Sequence, residues 1–186
     1  MEKSKTTNSV FTTKEMVLMA MMAAVTAVCS WISVPAEVPF TLQTFAVICT
    51  IGILGGYRGV FSILVYILLG AVGIPVFSGM KGGAGVLFGA TGGYIIGFIF
   101  IALVCMAAEK VFGKHLAVSI AAMLVGLLVC YAFGTAWFMY IYTRKNGAVT
   151  LAKALRLCVI PFIIPDILKL ILAVLVSGRI RKSISV

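Results

Sequence analysis

The sequence predicts an all-α integral membrane protein of six transmembrane helices, with two apolar loops capping one end. Three observations carry this. Hydrophobic residues make up 62% of the chain and charged residues 11%, against about a quarter charged in an ordinary soluble domain. The mean hydropathy is +1.19. The apolar runs are continuous, not alternating, which argues against a transmembrane β-barrel. At 186 residues the chain is expected to form a single membrane domain, residues 1–186, with room for six crossings of about 20 residues each.

The crossings fall at 14–34, 42–55, 59–72, 85–108, 116–142 and 155–176. The stretch before the first is polar and basic, and no small-residue cleavage site follows it, so the first helix is read as retained and not as a signal peptide. The second and third are short and meet at Gly55-Gly56-Tyr57-Arg58-Gly59, a tight turn. Arg58 there, the basic start (Lys3, Lys5, Lys14) and the basic end (Arg179, Arg181, Lys182) place both termini in the cytoplasm. Lys110, Lys114 and His115 in the fourth connection agree, whereas Arg144, Lys145 and Lys153 in the fifth oppose. Trp137, Tyr140 and Tyr142 cluster at one end of the fifth helix, as an interfacial belt does.

A net charge of +10 invites a nucleic-acid reading, but the basic residues are scattered over loops and ends and form no stripe with interleaved aromatics. Cys29, Cys49, Cys105, Cys130 and Cys158 all lie in apolar stretches, with no Cys-x-x-Cys spacing. They read as small buried residues, neither metal ligands nor a disulfide framework. No metal and no cofactor is expected. An intramembrane enzyme needs a convergent set of nucleophile, base or metal ligands, and the single histidine, His115, has no partner cluster. The chain is not expected to be an enzyme. It also lacks a G-x-x-x-x-G-K-[ST] phosphate loop, since Gly113-Lys114 is followed by His115.

The last apolar segment holds two charges, Asp166 and Lys169. Each such charge near a helix centre costs about 3 kcal/mol on insertion scales, while each Leu, Ile, Phe or Val returns about 0.3 to 0.6. The fourteen such residues between Leu157 and Val176 roughly cancel the pair, and Pro161 and Pro165 weaken the helix further. The charges therefore point inward, as a ligand contact or as a self-satisfied ion pair. Two connections are also unusual: WISVPAEVPFT (31–41), and GIPVFSGMKGGAGVLFGATGGY (73–94) with seven glycines between Gly79 and Gly93. Such backbone is tolerated at membrane depth only when it is buried or lines a cavity. Val76, Phe77, Val86, Leu87 and Phe88 make it too apolar for a solvated linker, so both loops are read as lids. Ala20/Ala24 and Ala23/Ala27 form small-xxx-small patterns that on spacing alone mean internal packing.

In one order the chain carries VPFTLQTF, GIPVFSG, GATGGY, GTAW and P-x-x-x-P-D-x-x-K. This set, from about Thr13 to Val176, resembles the BioY family, the biotin-binding S components of energy-coupling factor (ECF) transporters. One departure is Ala90, where the family usually has proline. The resemblance implies a multi-pass protein of a prokaryotic cell membrane that binds biotin with high affinity and assembles with a transmembrane T component and two ATPase subunits. It also makes Ala20, Ala24 and Ala27 the docking face for the T component.

Biotin offers a ureido ring with two N–H donors and one carbonyl, an apolar ring, and an aliphatic tail ending in a carboxylate. Asp166 suits a ureido N–H, and Lys169 a carbonyl or the carboxylate; at i and i+3 they share a helical face. Gln43 offers both donor and acceptor, or is simply wetted at the interface. Phe40, Phe77, Tyr94 and Trp137 are expected to wall the apolar parts, with an interfacial anchor the equal alternative for Trp137. The stretch Thr91-Gly92-Gly93-Tyr94 is counted among the substrate-binding residues, and backbone N–H groups around Gly82, Gly83, Gly92 and Gly93 are candidate carboxylate donors. Lys81 is read as a solvated loop lysine. A proton-coupled secondary transporter of a small organic molecule is the competing reading, though it usually shows internal repeats, and none is visible.

Overall fold

The computed structural model describes residues 11–35 and 38–183. The helices in chain order are α1 (Thr13–Trp31), α2 (Gln43–Ala71), α3 (Ala84–Leu87), α4 (Gly92–Phe112), α5 (Leu116–Asn146), α6 (Leu151–Cys158) and α7 (Ile160–Ser183). A short antiparallel pair, β1 (Ser33–Val34) and β2 (Phe40–Thr41), joins α1 to α2. Lys3 and Lys5, and the side chain of Lys145, lie outside the described residues.

Among the described residues five helical stretches are long and apolar enough to cross a membrane, and one of them folds back on itself. Inside α2, Gly55 adopts φ 81° and ψ 168°, a conformation glycine reaches without steric cost. Along a continuous helix Gln43 and Tyr66 would stand about 34 Å apart, yet Gln43 Nε2 donates to Tyr66 Oη at 2.7 Å. Gly59 likewise lies against Ile51. Residues 43–54 and 56–71 are therefore two antiparallel arms of a hairpin, the expected second and third crossings. With α1, α4, α5 and α7 they make the six crossings the sequence predicts.

Local chemistry sets the ends. Thr12 caps α1 reciprocally with Glu15: its Oγ1 accepts from Glu15 N at 3.3 Å, and its N–H donates to Glu15 Oε2 at 2.8 Å. Two expected helices are interrupted. The fourth begins as the single turn α3 and restarts at Gly92, because the turn at Phe88–Thr91 breaks the hydrogen-bond ladder. The sixth splits at Val159 (φ −124°, ψ −57°) into α6 and α7. Pro161 has no N–H with which to continue α6, but it fits the first turn of a new helix.

α2 is the centre of the bundle: α1, α4 and α7 pack on it, while α5 packs on α4. Gly97 lies against Cys130 and Gly126 against Ile101, so small residues bring α4 and α5 close in the absence of a hydrophobic driving force between helices. Ala46, Val47, Ile48, Ile101 and Ala102 are fully enclosed. Leu68, Leu128, Leu172 and Leu175 face outward, where lipid contacts them. α5 and α7 are not packed along their length, and the space left between them on the bundle's inner side holds the site.

Candidate ligand-binding site

A cleft opens among the start of α2, the 76–81 loop, the start of α4, the middle of α5 and the first half of α7. Asp166 and Lys169, 3% and 5% exposed, both line it. Lys169 Nζ donates to Asp166 Oδ1 at 2.8 Å, and Tyr131 Oη donates to Asp166 Oδ2 at 2.6 Å. The Lys169 ammonium also sits 4.1 Å from the centre of the Phe40 ring, a cation–π contact that strengthens as water is excluded.

Two buried charges are stable together only when they are paired and their remaining valences are met. Each carboxylate oxygen of Asp166 has one further acceptor position, and Lys169 has two further donors. That spare capacity opens on the cleft. Gln43, 4% exposed, lines the cleft beside the pair. Phe77, Tyr94, Ile95, Phe98, Leu127 and Phe162 supply apolar walls. Phe40 does not line the cleft itself but stacks on Phe162 at 6.1 Å and 27°. Tyr94 is fixed through Oη to Thr135 Oγ1 at 2.9 Å, and Thr91, at the head of α4, reaches the lining. Lys81 stands exposed at the rim.

Several expected contacts lie elsewhere. Gly82, Gly83, Gly92, Gly93 and Trp137 are not among the lining residues. The N–H of Gly83 donates to Gly70 O at 2.7 Å and that of Gly92 to Gly89 O at 3.1 Å, so neither is free for a carboxylate. Gly93 leaves room for Trp137, whose side chain occupies the space a Cβ would take. Trp137 Nε1 in turn donates to Gly89 O at 3.0 Å. This tryptophan thus holds the loop that leads into α4. It does not line the cleft.

The two alanine patterns of α1 point in opposite directions. Ala23 and Ala27 are buried, 2% and 7% exposed, while Ala20 and Ala24 are exposed. Ala27 therefore belongs to internal packing and is withdrawn from the docking face. Sequence reasoning missed Tyr131 altogether: its signal was a hydroxyl amid an apolar helix, and the partner lies 35 residues on, in another helix. Among the described residues no group of His, Cys, Asp or Glu is placed to hold a metal ion.

A six-crossing bundle with a buried ion pair lining a cleft defines a class, the multi-pass membrane protein that takes a small polar molecule into its interior. Comparison narrows it. Residues 2–186 match the BioY family, and the chain belongs to that family. It is 37% identical over 171 residues to the biotin transporter BioY of Thermotoga maritima, covering 91% of this chain and 96% of that protein. It is 42% identical over 169 residues to a probable biotin transporter BioY of Pyrococcus horikoshii, covering 90% and 96%. A crystal structure of the S-component for biotin from an ECF-type ABC transporter superposes with a TM-score of 0.79 at 25% identity, over 93% of this chain and 95% of that one.

Proposed function

We propose that this chain captures biotin within the membrane and serves as the substrate-specific S component of an ECF-type transporter. The observation that carries the reading is the pair Asp166 and Lys169, buried in the cleft with hydrogen-bonding capacity to spare. It matches in polarity a ligand with both donors and acceptors on a small ring. The apolar walls suit the rest of biotin.

Transport is then driven from outside this chain, by ATPase subunits acting through a T component that docks on the exposed Ala20/Ala24 stripe of α1. Arg58, Lys114 and Arg181 all line cavities at the end of the bundle opposite the cleft. This fits an orientation with both termini cytoplasmic and the cleft facing out. Labelling of Lys182→Cys by a membrane-impermeant thiol reagent in intact cells checks that orientation, and efficient labelling would reverse it. The functional test is uptake in membrane vesicles. Biotin accumulation requiring ATP and co-expressed partner subunits is expected; accumulation by this chain alone under a proton gradient would replace this reading with secondary transport.

A further inference from the structure

We infer that Tyr66, which does not touch the cleft, is a positioning residue that fixes Gln43 as a hydrogen-bond acceptor toward the ligand. The inference rests on the biotin reading above and adds to it a polarity. It starts from a carbonyl. Val76 O can only accept, and Tyr66 Oη lies 3.0 Å from it, so the single phenolic proton is committed there. The same oxygen is 2.7 Å from the Gln43 amide. With no second proton to give, Tyr66 must accept from Gln43, which turns Nε2 toward the phenol and Oε1 away. The reverse orientation would set two oxygen lone pairs against each other.

Gln43 Oε1 accepts no hydrogen bond from any described residue, and no buried side-chain oxygen or nitrogen is left unpartnered. That oxygen is therefore open to the cleft Gln43 lines. Among the polar groups lining the cleft are then two acceptors, Asp166 and Gln43 Oε1, and a buried cationic donor, Lys169. This is the complement of a cyclic urea with its two N–H groups and one carbonyl. Tyr66 stands behind this surface, fully buried, its ring edge-on to Phe77 at 5.6 Å and 85°. Ser30 Oγ of α1 lies 2.5 Å from Val76 O and 2.7 Å from Ala27 O and has one proton for the two, so removing the Tyr66 hydroxyl leaves the loop carbonyl a second donor within reach. What it releases is the orientation of Gln43.

The test is a double-mutant cycle by titration calorimetry of the purified chain with biotin. Tyr66→Phe is expected to weaken binding by about three- to tenfold, as loss of one oriented hydrogen bond does. Gln43→Leu is expected to weaken it at least as much, and the double variant no further than Gln43→Leu alone. Losses that multiply in the double variant, or an unchanged Tyr66→Phe, overturn the inference. Absence of binding by the unmodified chain sinks the biotin reading and this inference with it, whereas binding with multiplicative losses sinks this inference alone. If Tyr66→Phe does not fold, Gln43→Glu and Gln43→Lys decide the polarity. The acceptor-only side chain is expected to retain biotin better than the donor-only one, and the opposite order overturns the assignment.

Discussion

Among the described residues two ion pairs stand at opposite ends of the bundle, with the same chemistry in different surroundings. Glu15 and Arg58 join α1 to the α2 hairpin turn, with side chains 18% and 26% exposed. Glu15 also completes the cap of its own helix, so the carboxylate is spent locally. Asp166 and Lys169 share one turn of α7 with side chains 4% and 6% exposed, and their remaining valences open on a cleft. Water screens the first pair and makes it a modest staple. Lipid and protein enclose the second, where an unmet charge is costly. The difference teaches that burial together with unspent hydrogen-bonding capacity, not pairing alone, is what singles out Asp166 and Lys169 as the pair proposed to meet a ligand.

Breaking the buried pair from one side has the largest expected effect. Asp166→Ala leaves the Lys169 ammonium unpaired inside the bundle, at a cost on the order of 3–5 kcal/mol, and a sharply lower melting temperature with no biotin binding is expected. A next-largest effect, on transport only, comes from Ala20→Trp. The bulky ring on the exposed stripe blocks partner assembly and ATP-driven uptake while calorimetric biotin affinity stays at the unmodified value; loss of binding would remove the docking role.

Trp137→Phe probes the loop without touching either pair. It deletes the hydrogen bond to Gly89 O, worth about 1 kcal/mol, and a fall in biotin affinity of up to about fivefold is expected. The smallest effect belongs to the exposed pair. Arg58→Ala is expected to lower the melting temperature slightly and leave biotin affinity unchanged, and a large affinity loss there would erase the contrast between the two ends.

Much of this was legible in the sequence because lipid makes polarity conspicuous. Asp166 and Lys169 stand out in an apolar run, and the hairpin at Gly55 follows from glycines and an arginine between two short apolar segments. The parts that were not legible depend on which helix lies beside which. Tyr131 and Tyr66 are not singled out in the sequence, and only the fold brings their hydroxyls to Asp166 and Val76. Gly92 and Gly93 read as backbone donors, but the close packing of Leu87 and Trp137 against them uses the glycines for space. Ala20 and Ala27 belong to two overlapping patterns of identical spacing, and only the packing of α1 on α2 separates the exposed alanine from the buried one.

The central claim is that Asp166 and Lys169 are kept for a ligand. Calorimetry with biotin on the unmodified chain, Asp166→Asn, Lys169→Met and the double variant tests it, with melting temperature followed in parallel. The double variant removes both charges at once and is expected to fold with little loss of stability, while all three variants lose at least about a hundredfold in biotin affinity. A double variant that binds biotin undiminished would show the pair to be structural and would contradict the account.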